Sequence, residues 1–271
     1  MEMGPEQLEK LKSGRDRLLK SGTSAVYVQS IYKVDDVLYC IGRDAKERHF
    51  YQISASRVRS RFSGEAKYLQ GLYCLEAPMT QRNMRALWKL FPFTQPVSLR
   101  DRRTTIGMGD RLGIATAGHL RAARKYNAAP VLAQQSVREL DLTGRTFEDV
   151  VADASFMVFQ EGYEGGYGAD GDHLKNIASI KRALNAGMPM ITLDLTEVMK
   201  PEVADWDQRK VHEAFSKIKR DTQVRIRREY AGKSFRLGRD SVSISLEEAE
   251  RCAVMYGPAL DFAGKVDKFL K

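Results

Sequence analysis

The sequence is poor in the residues from which stapled or metal-clipped small domains are built. Its 271 residues include three cysteines and four histidines. Cys40, Cys74 and Cys252 are nowhere spaced as a Cys-x-x-Cys clip or as a secreted disulfide framework, so they read as reduced core or edge residues. No apolar run approaches the ~20 residues that a membrane-spanning helix requires. The opening stretch, MEMGPEQLEKLKSGRDRLLKSG, is charged and has no signal-peptide core, which makes the cytoplasm the expected location. Acidic residues are the minority charge: 35 Asp and Glu stand against 44 Lys and Arg, a net +9. That excess suits phosphate, nucleic acid or an anionic small molecule as partner. The densest patch, KIKRDTQVRIRREYAGKSFRLGR at 217–239, has nine basic and two acidic residues. No aromatic-rich recognition module or zinc-finger spacing accompanies it, so it reads as the solvated side of a helix and strand. A nucleic-acid-binding α/β protein is the rival reading.

What is present divides by texture. After one charged helix, the first ~100 residues alternate apolar and polar in SAVYVQSIYKV, VLYCIGRD and RHFYQIS, the pattern of a small antiparallel sheet. Gly71 to Leu75 adds a candidate strand. In QRNMRALWKLF, residues Met84, Leu87, Trp88 and Phe91 recur at helical spacing. FPFTQPVSLRDRR, with two prolines and a basic run, is the expected linker. From Thr104 strands alternate with helices, as in βα units: TTIGMGD, PVLAQQS, a short strand or extended turn in GGYGADGD, and PMITLDL are separated by helices in AGHLRAARKY, TFEDVVADASFMVFQEG and NIASIKRALNAG. Thr116 is the expected cap of the first of these helices and Gly187 closes the last. Charged helices are expected at 205–219 and 246–271. The fold class is therefore α/β, a TIM-like (β/α) barrel preceded by a small α+β region. Residues 1–100 form that region and 101–271 the first half of the barrel, because four βα units are half of the eight a closed barrel needs. A small doubly wound sheet is the alternative.

In βα folds the chemistry gathers at the carboxyl ends of the strands. Four such ends carry polar residues: Gly109-Asp110-Arg111, Gln134-Gln135-Ser136, Asp170-Gly171-Asp172-His173 and Asp194-Leu195-Thr196-Glu197. GADGDHLK concentrates two carboxylates, an imidazole and the Lys175 ammonium, a set able to bind a metal, take a proton and neutralise an anion. The plainer alternative is that Asp170 or Asp172 caps the next helix. His119 either faces a substrate or lies unremarkably in a helical first turn, and His49 and His212 read as surface residues. GMGDRLG lacks the Gly-Lys-Ser/Thr ending of a P-loop and the full Gly-x-Gly-x-x-Gly fingerprint, so nucleotide binding is discounted.

Together GMGDRLGIATAGHLRAAR, FQEGYEGGYGADGDHLK and TLDLTE resemble the tagaturonate epimerase family from about Thr104 onward. The resemblance implies interconversion of tagaturonate and fructuronate within a barrel, at a histidine-bound divalent cation of zinc, manganese or nickel type. His173 matches a metal ligand and Asp172 the proton acceptor. Asp110, Arg111, His119, Asp170, Lys175 and Asp194 are then the expected substrate contacts. The resemblance puts the donor carboxylate and the remaining histidines beyond Lys271, so a truncated enzyme or an inactive relative is expected, with self-association or a complementing C-terminal chain.

Overall fold

A computed structural model describes residues 25–69 and 71–271. The charged helix expected at the start of the chain lies outside them. Two compact units meet between Thr192 and Leu193. This is a boundary of packing, whereas the border expected near residue 100 marks a change of sheet type.

The first unit opens with an antiparallel sheet of six strands: β1 (Ala25–Val26), β2 (Tyr32–Val34), β3 (Val37–Arg43), β4 (Arg48–Ser54), β5 (Glu65–Leu69) and β6 (Leu72–Ala77). They are ordered β1-β3-β4-β6-β5, with β2 on β3. The register Cys40↔Tyr51 and Ile41↔Phe50 sends alternate residues to opposite faces. One face gathers Cys40, Tyr51, Ile53, Leu72 and Cys74. The other presents Tyr39 and Phe50 to Phe62, Phe91 and Phe159, with Phe50 and Phe62 centroids 4.4 Å apart and Phe91 and Phe159 4.9 Å apart. Burying each such ring stabilises the fold by about 1.5–3 kcal/mol. Strand β5 was not anticipated, since EAKYL is too polar and too short to show alternation.

The expected helix at Met84–Trp88 is α1 (Gln81–Leu90), capped by the Thr80 hydroxyl, which accepts from the Asn83 amide. The parallel part follows: β7 (Thr105–Gly107), α2 (Thr116–Ala123), β8 (Ala129–Ser136), α3 (Val137–Thr143), α4 (Phe147–Glu161), β9 (Gly168–Leu174), α5 (Ile177–Ala186) and β10 (Met190–Leu193). Its sheet order is β7-β8-β9-β10, and β8 runs parallel to both β7 and β9. GADGDHL is thus a full strand rather than a turn. Twelve of the 15 residues of α4 are buried, Ser155, Gln160 and Glu161 among them, so the helix is enclosed on most of its surface. Its Phe159 packs against the antiparallel sheet while its other side meets β8. The fold is mixed α/β, with a parallel sheet beside an antiparallel one.

The second unit contains α6 (Gln208–Phe215), α7 (Arg220–Glu229), an antiparallel hairpin of β11 (Lys233–Leu237) and β12 (Asp240–Ile244), and α8 (Leu246–Leu270). Val203, Val211, Phe215 and Val254 form its core. The basic stretch 217–239 supplies α7, which buries none of its residues, and the exposed strand β11. Among the described residues no helix is long and apolar enough to cross a membrane.

Candidate active site

The loop after β7 is built around one carboxylate. Asp110, 6% exposed, accepts through Oδ1 from the amides of Leu112 (3.3 Å), Gly113 (2.9 Å) and Ile114 (3.2 Å). Its Oδ2 accepts from the amides of Ala115 (2.7 Å) and Thr116 (2.8 Å) and from the Thr116 hydroxyl (2.9 Å). Burial pushes its pKa up, but the Thr116 hydroxyl and the amides of Thr116, Ala115 and Ile114 outweigh that and hold it below the ordinary carboxylate value. The expectation that Thr116 caps α2 is corrected. Ala115 is the capping position and makes no side-chain bond, and Asp110 supplies the acceptor from six residues upstream. Both oxygens of Asp110 therefore face its own loop.

Glycines let that loop close. A Cβ on Gly109 would lie 2.6 Å from the Gln134 carbonyl oxygen, and Gly113, at φ +73°, sits where a Cβ would meet the Asp153 carboxylate at 2.1 Å. Arg145 pairs with Asp153 and donates to the Arg111 carbonyl at 2.9 Å. Arg111 itself is ion-paired with Glu139, with its side chain two-thirds exposed. Glu139 also closes a capping box with Ser136 at the start of α3. Its partner is thus Glu139 rather than the neighbouring Asp110.

The register Gln134↔Asp170, Gln135↔Gly171 and Ser136↔Asp172 brings the ends of β8 and β9 side by side. Asp170 is fully buried. Its Oδ2 accepts from Gln134 Nε2 (3.2 Å) and from the Thr192 hydroxyl (2.8 Å), while Oδ1 has no hydrogen-bond partner among the described residues. Burial, reinforced by the charge of Asp172, raises the Asp170 pKa against the opposing bonds from Thr192 and Gln134. Two residues on, Asp172 is half-buried and its Oδ2 lies 3.7 Å from His173 Nε2. His173 has φ +52°, one of two non-glycine residues described with positive φ, and its side chain is 63% exposed. That left-handed conformation costs energy in a residue with a Cβ, so the strand end, not backbone preference, dictates it. Close packing beneath is permitted by Gly171, whose Cβ would lie 2.7 Å from the Ala183 Cβ of α5.

Lys175 is exposed just beyond β9. His119 lies on α2 with Nδ1 buried and without a hydrogen-bond partner among the described residues. Asp194 belongs to the second unit, where its Oδ1 accepts from the Thr196 amide and hydroxyl. His49 is corrected: it is buried, with Nε2 3.2 Å from Asp44 and Nδ1 3.8 Å from Glu76, because the β3–β4 turn brings Asp44 over it and the neighbouring strand β6 supplies Glu76. His212 is exposed and bonded to buried Glu250. Two residues that complete this geometry, Thr192 and Glu139, escaped the sequence reading. Ser136-x-x-Glu139 carried a capping-box signature that would have found the second, whereas nothing local marks Thr192.

The donors for a divalent cation are incomplete. Asp172 and His173 offer a carboxylate and an imidazole side by side, yet no group of three or more His, Cys, Asp or Glu side chains suited to a metal exists among the described residues. They fit a metal as part of a donor set.

Comparison with known proteins gives a consistent result. Residues 27–271 match the family model described as tagaturonate epimerase. A tagaturonate/fructuronate epimerase of Thermotoga maritima is 36% identical over 189 residues, 70% of this chain and 38% of that protein. Among solved structures, the native fructuronate-tagaturonate epimerase of Cohnella laeviribosi superposes with a TM-score of 0.84 at 31% identity, covering 96% of this chain and 52% of that one. A glycerol-complexed structure of the same enzyme gives 0.83 at 32% identity, covering 94% and 51%. The chain spans between 38% and 52% of the length of these relatives.

Proposed function

Because this chain belongs to the tagaturonate epimerase family, we propose that it forms the proton-accepting part of an epimerase that interconverts tagaturonate and fructuronate in the cytoplasm. The observation that carries the reading is the end of β9, where the strand sets Asp172 and His173 side by side next to a buried Asp170 held by Gln134 and Thr192. In this proposal residues 101–271 belong to a (β/α) barrel, and residues up to about 100 are its accessory region.

The chemistry follows from the substrate. The inverted carbon is β to the ketone, so its C–H is not acidified and simple enolisation cannot invert it. Instead Asp172 takes the proton of the hydroxyl on that carbon and the bond between the α and β carbons breaks, leaving an aldehyde and an enolate. The aldehyde rotates, the enolate adds to its other face, and Asp172 returns the proton to the new alkoxide. A divalent cation, with His173 among its ligands, would stabilise the negative charge developing on the ketone oxygen. Arg111 uses only Nε on Glu139, leaving further N–H groups for the substrate carboxylate. Asp110 fixes the loop that presents Arg111, and His119, Asp170 and Lys175 are the remaining proposed substrate contacts. Since no group of three or more metal donors exists among the described residues, the proposal takes the remaining donors from outside them.

Metal and substrate binding test this directly. Calorimetric titration with manganese, nickel or zinc, followed by tagaturonate, is expected to show saturable metal-dependent binding of the sugar acid, and His173→Ala to weaken metal binding at least about tenfold. Equal metal binding by both proteins rejects the His173 assignment, and no tagaturonate binding under any metal rejects the function. Turnover by the purified chain alone should be slight. Robust turnover without a partner refutes the need for complementing donors.

A further inference from the structure

A polar recess opens at the end of the parallel sheet opposite Asp172. It has a volume of about 460 Å³ and lies where β7 and β8 begin, lined by residues that include Thr104 and Ala129. Strand β8 has eight residues, which puts this recess roughly 20 Å from the strand ends that carry Asp172. Three guanidinium groups line it: Arg102 and Arg103 from the segment before β7, and Arg124 just past α2. Tyr163 and Tyr126 form aromatic walls.

Arg124 acts electrostatically on the Glu161 carboxylate, whereas Arg102 and Arg103 are not neutralised locally among the described residues. Arg102 makes one hydrogen bond, at 3.4 Å, to the Gly165 carbonyl, and neither it nor Arg103 has an ion-pair partner among the described residues. Arg124 donates to the main-chain carbonyl of Glu161 and lies over the Tyr163 ring at 5.9 Å. The Glu161 carboxylate is meanwhile taken by Arg121 through two bonds of 3.0 Å. The carboxylate lining the recess, Asp101, is paired with Arg100 at 3.5 Å. Three arginines lining one recess, against one already paired carboxylate, suit the charge of a phosphoryl dianion, which accepts several N–H groups at once.

We propose that this recess binds a phosphoryl group, as free phosphate or as the phosphate ester of a small polar metabolite, through Arg102, Arg103 and Arg124. The tyrosines accommodate the body of an ester, and the recess has room for one. The site is independent of the epimerase reading, because it shares no residue with the strand-end chemistry.

The test is calorimetric titration of the full chain with inorganic phosphate and, separately, with a hexose 6-phosphate, at constant ionic strength set by sodium chloride. Saturable binding that falls at least tenfold in Arg102→Ala/Arg103→Ala is expected. Both side chains are exposed, so circular dichroism should show the variant folded. Tighter binding of the ester than of inorganic phosphate assigns the site to a phosphorylated metabolite, and equal binding assigns it to phosphate itself. Absence of saturable binding of both probes overturns the proposal, as does unchanged affinity in the double variant. A short single-stranded oligonucleotide that binds while both small probes fail would replace it with a polynucleotide surface.

Discussion

Replacing Asp110 by Asn isolates the contribution of the carboxylate that organises the loop after β7. The change keeps the size and one oxygen but removes the charge, and it turns an amide N–H₂ toward donors. If the remaining oxygen serves the Oδ1 side, the amides of Ala115 and Thr116 and the Thr116 hydroxyl lose their acceptor. An orphaned buried donor costs about 1–3 kcal/mol. Ala115 and the loop are partly exposed and water can rescue some of them, so a total of about 3–4 kcal/mol is expected. For a protein of this size that corresponds to a loss of roughly 10 °C in melting temperature. The pH dependence fixes the cause. The folded pKa of Asp110 is lowered, so its contribution is complete above the unfolded value near ~3.9 and is lost as pH falls through the folded value. The gap between wild type and Asp110→Asn should be full at neutral pH and shrink in acid. Thermal melts followed by circular dichroism across that range measure both. A shift under about 2 °C at neutral pH, or a gap independent of pH, refutes the role.

Asp170 has the opposite sign. Its folded pKa is raised, so its contribution is present below the unfolded value and disappears as pH rises through the folded one. Asp170→Asn should flatten that decline in urea-melt stability, and parallel wild-type and variant profiles would sink the argument. Gly171→Ala places a Cβ 2.7 Å from Ala183 and 2.8 Å from Leu174 Cδ1. Such overpacking should cost about 1–3 kcal/mol in urea denaturation, and an unchanged midpoint would show that α5 yields freely. In the second unit Glu250, 1% exposed, binds His212 and Arg227 at 2.9 and 2.8 Å. Glu250→Gln removes the anion between them and should lower stability by about 2–4 kcal/mol at neutral pH. Burial raises the Glu250 pKa but the bonds to His212 and Arg227 lower it further, so the difference must fade as pH drops through the acid range; a difference that grows in acid contradicts this.

Local chemistry written into the chain determined much of the outcome. Apolar periodicity marked α1 and α4, and Gly187, at φ +97°, ends α5 where the sequence placed its stop. GMGD, LAQQS and GADGDHL were recognisable as strands or strand ends, and GADGDHLK placed the Asp172 and His173 side chains next to each other. Less could be read where a segment's role depends on what lies opposite. EAKYL and the hairpin of β11 and β12 are polar strands made by pairing rather than by burial. His49 looked like a surface residue because its neighbours are charged, and those same charges close over it only once the hairpin forms. The largest gap concerns Asp110 and Arg111: adjacent in sequence, they suggest a joint task, yet the fold turns one inward to six donors and pairs the other with Glu139, 28 residues away. Only tertiary structure could decide this, because a hydrogen-bond acceptor serves whichever donors the packed backbone brings within reach, and sequence records the acceptor but not the approach.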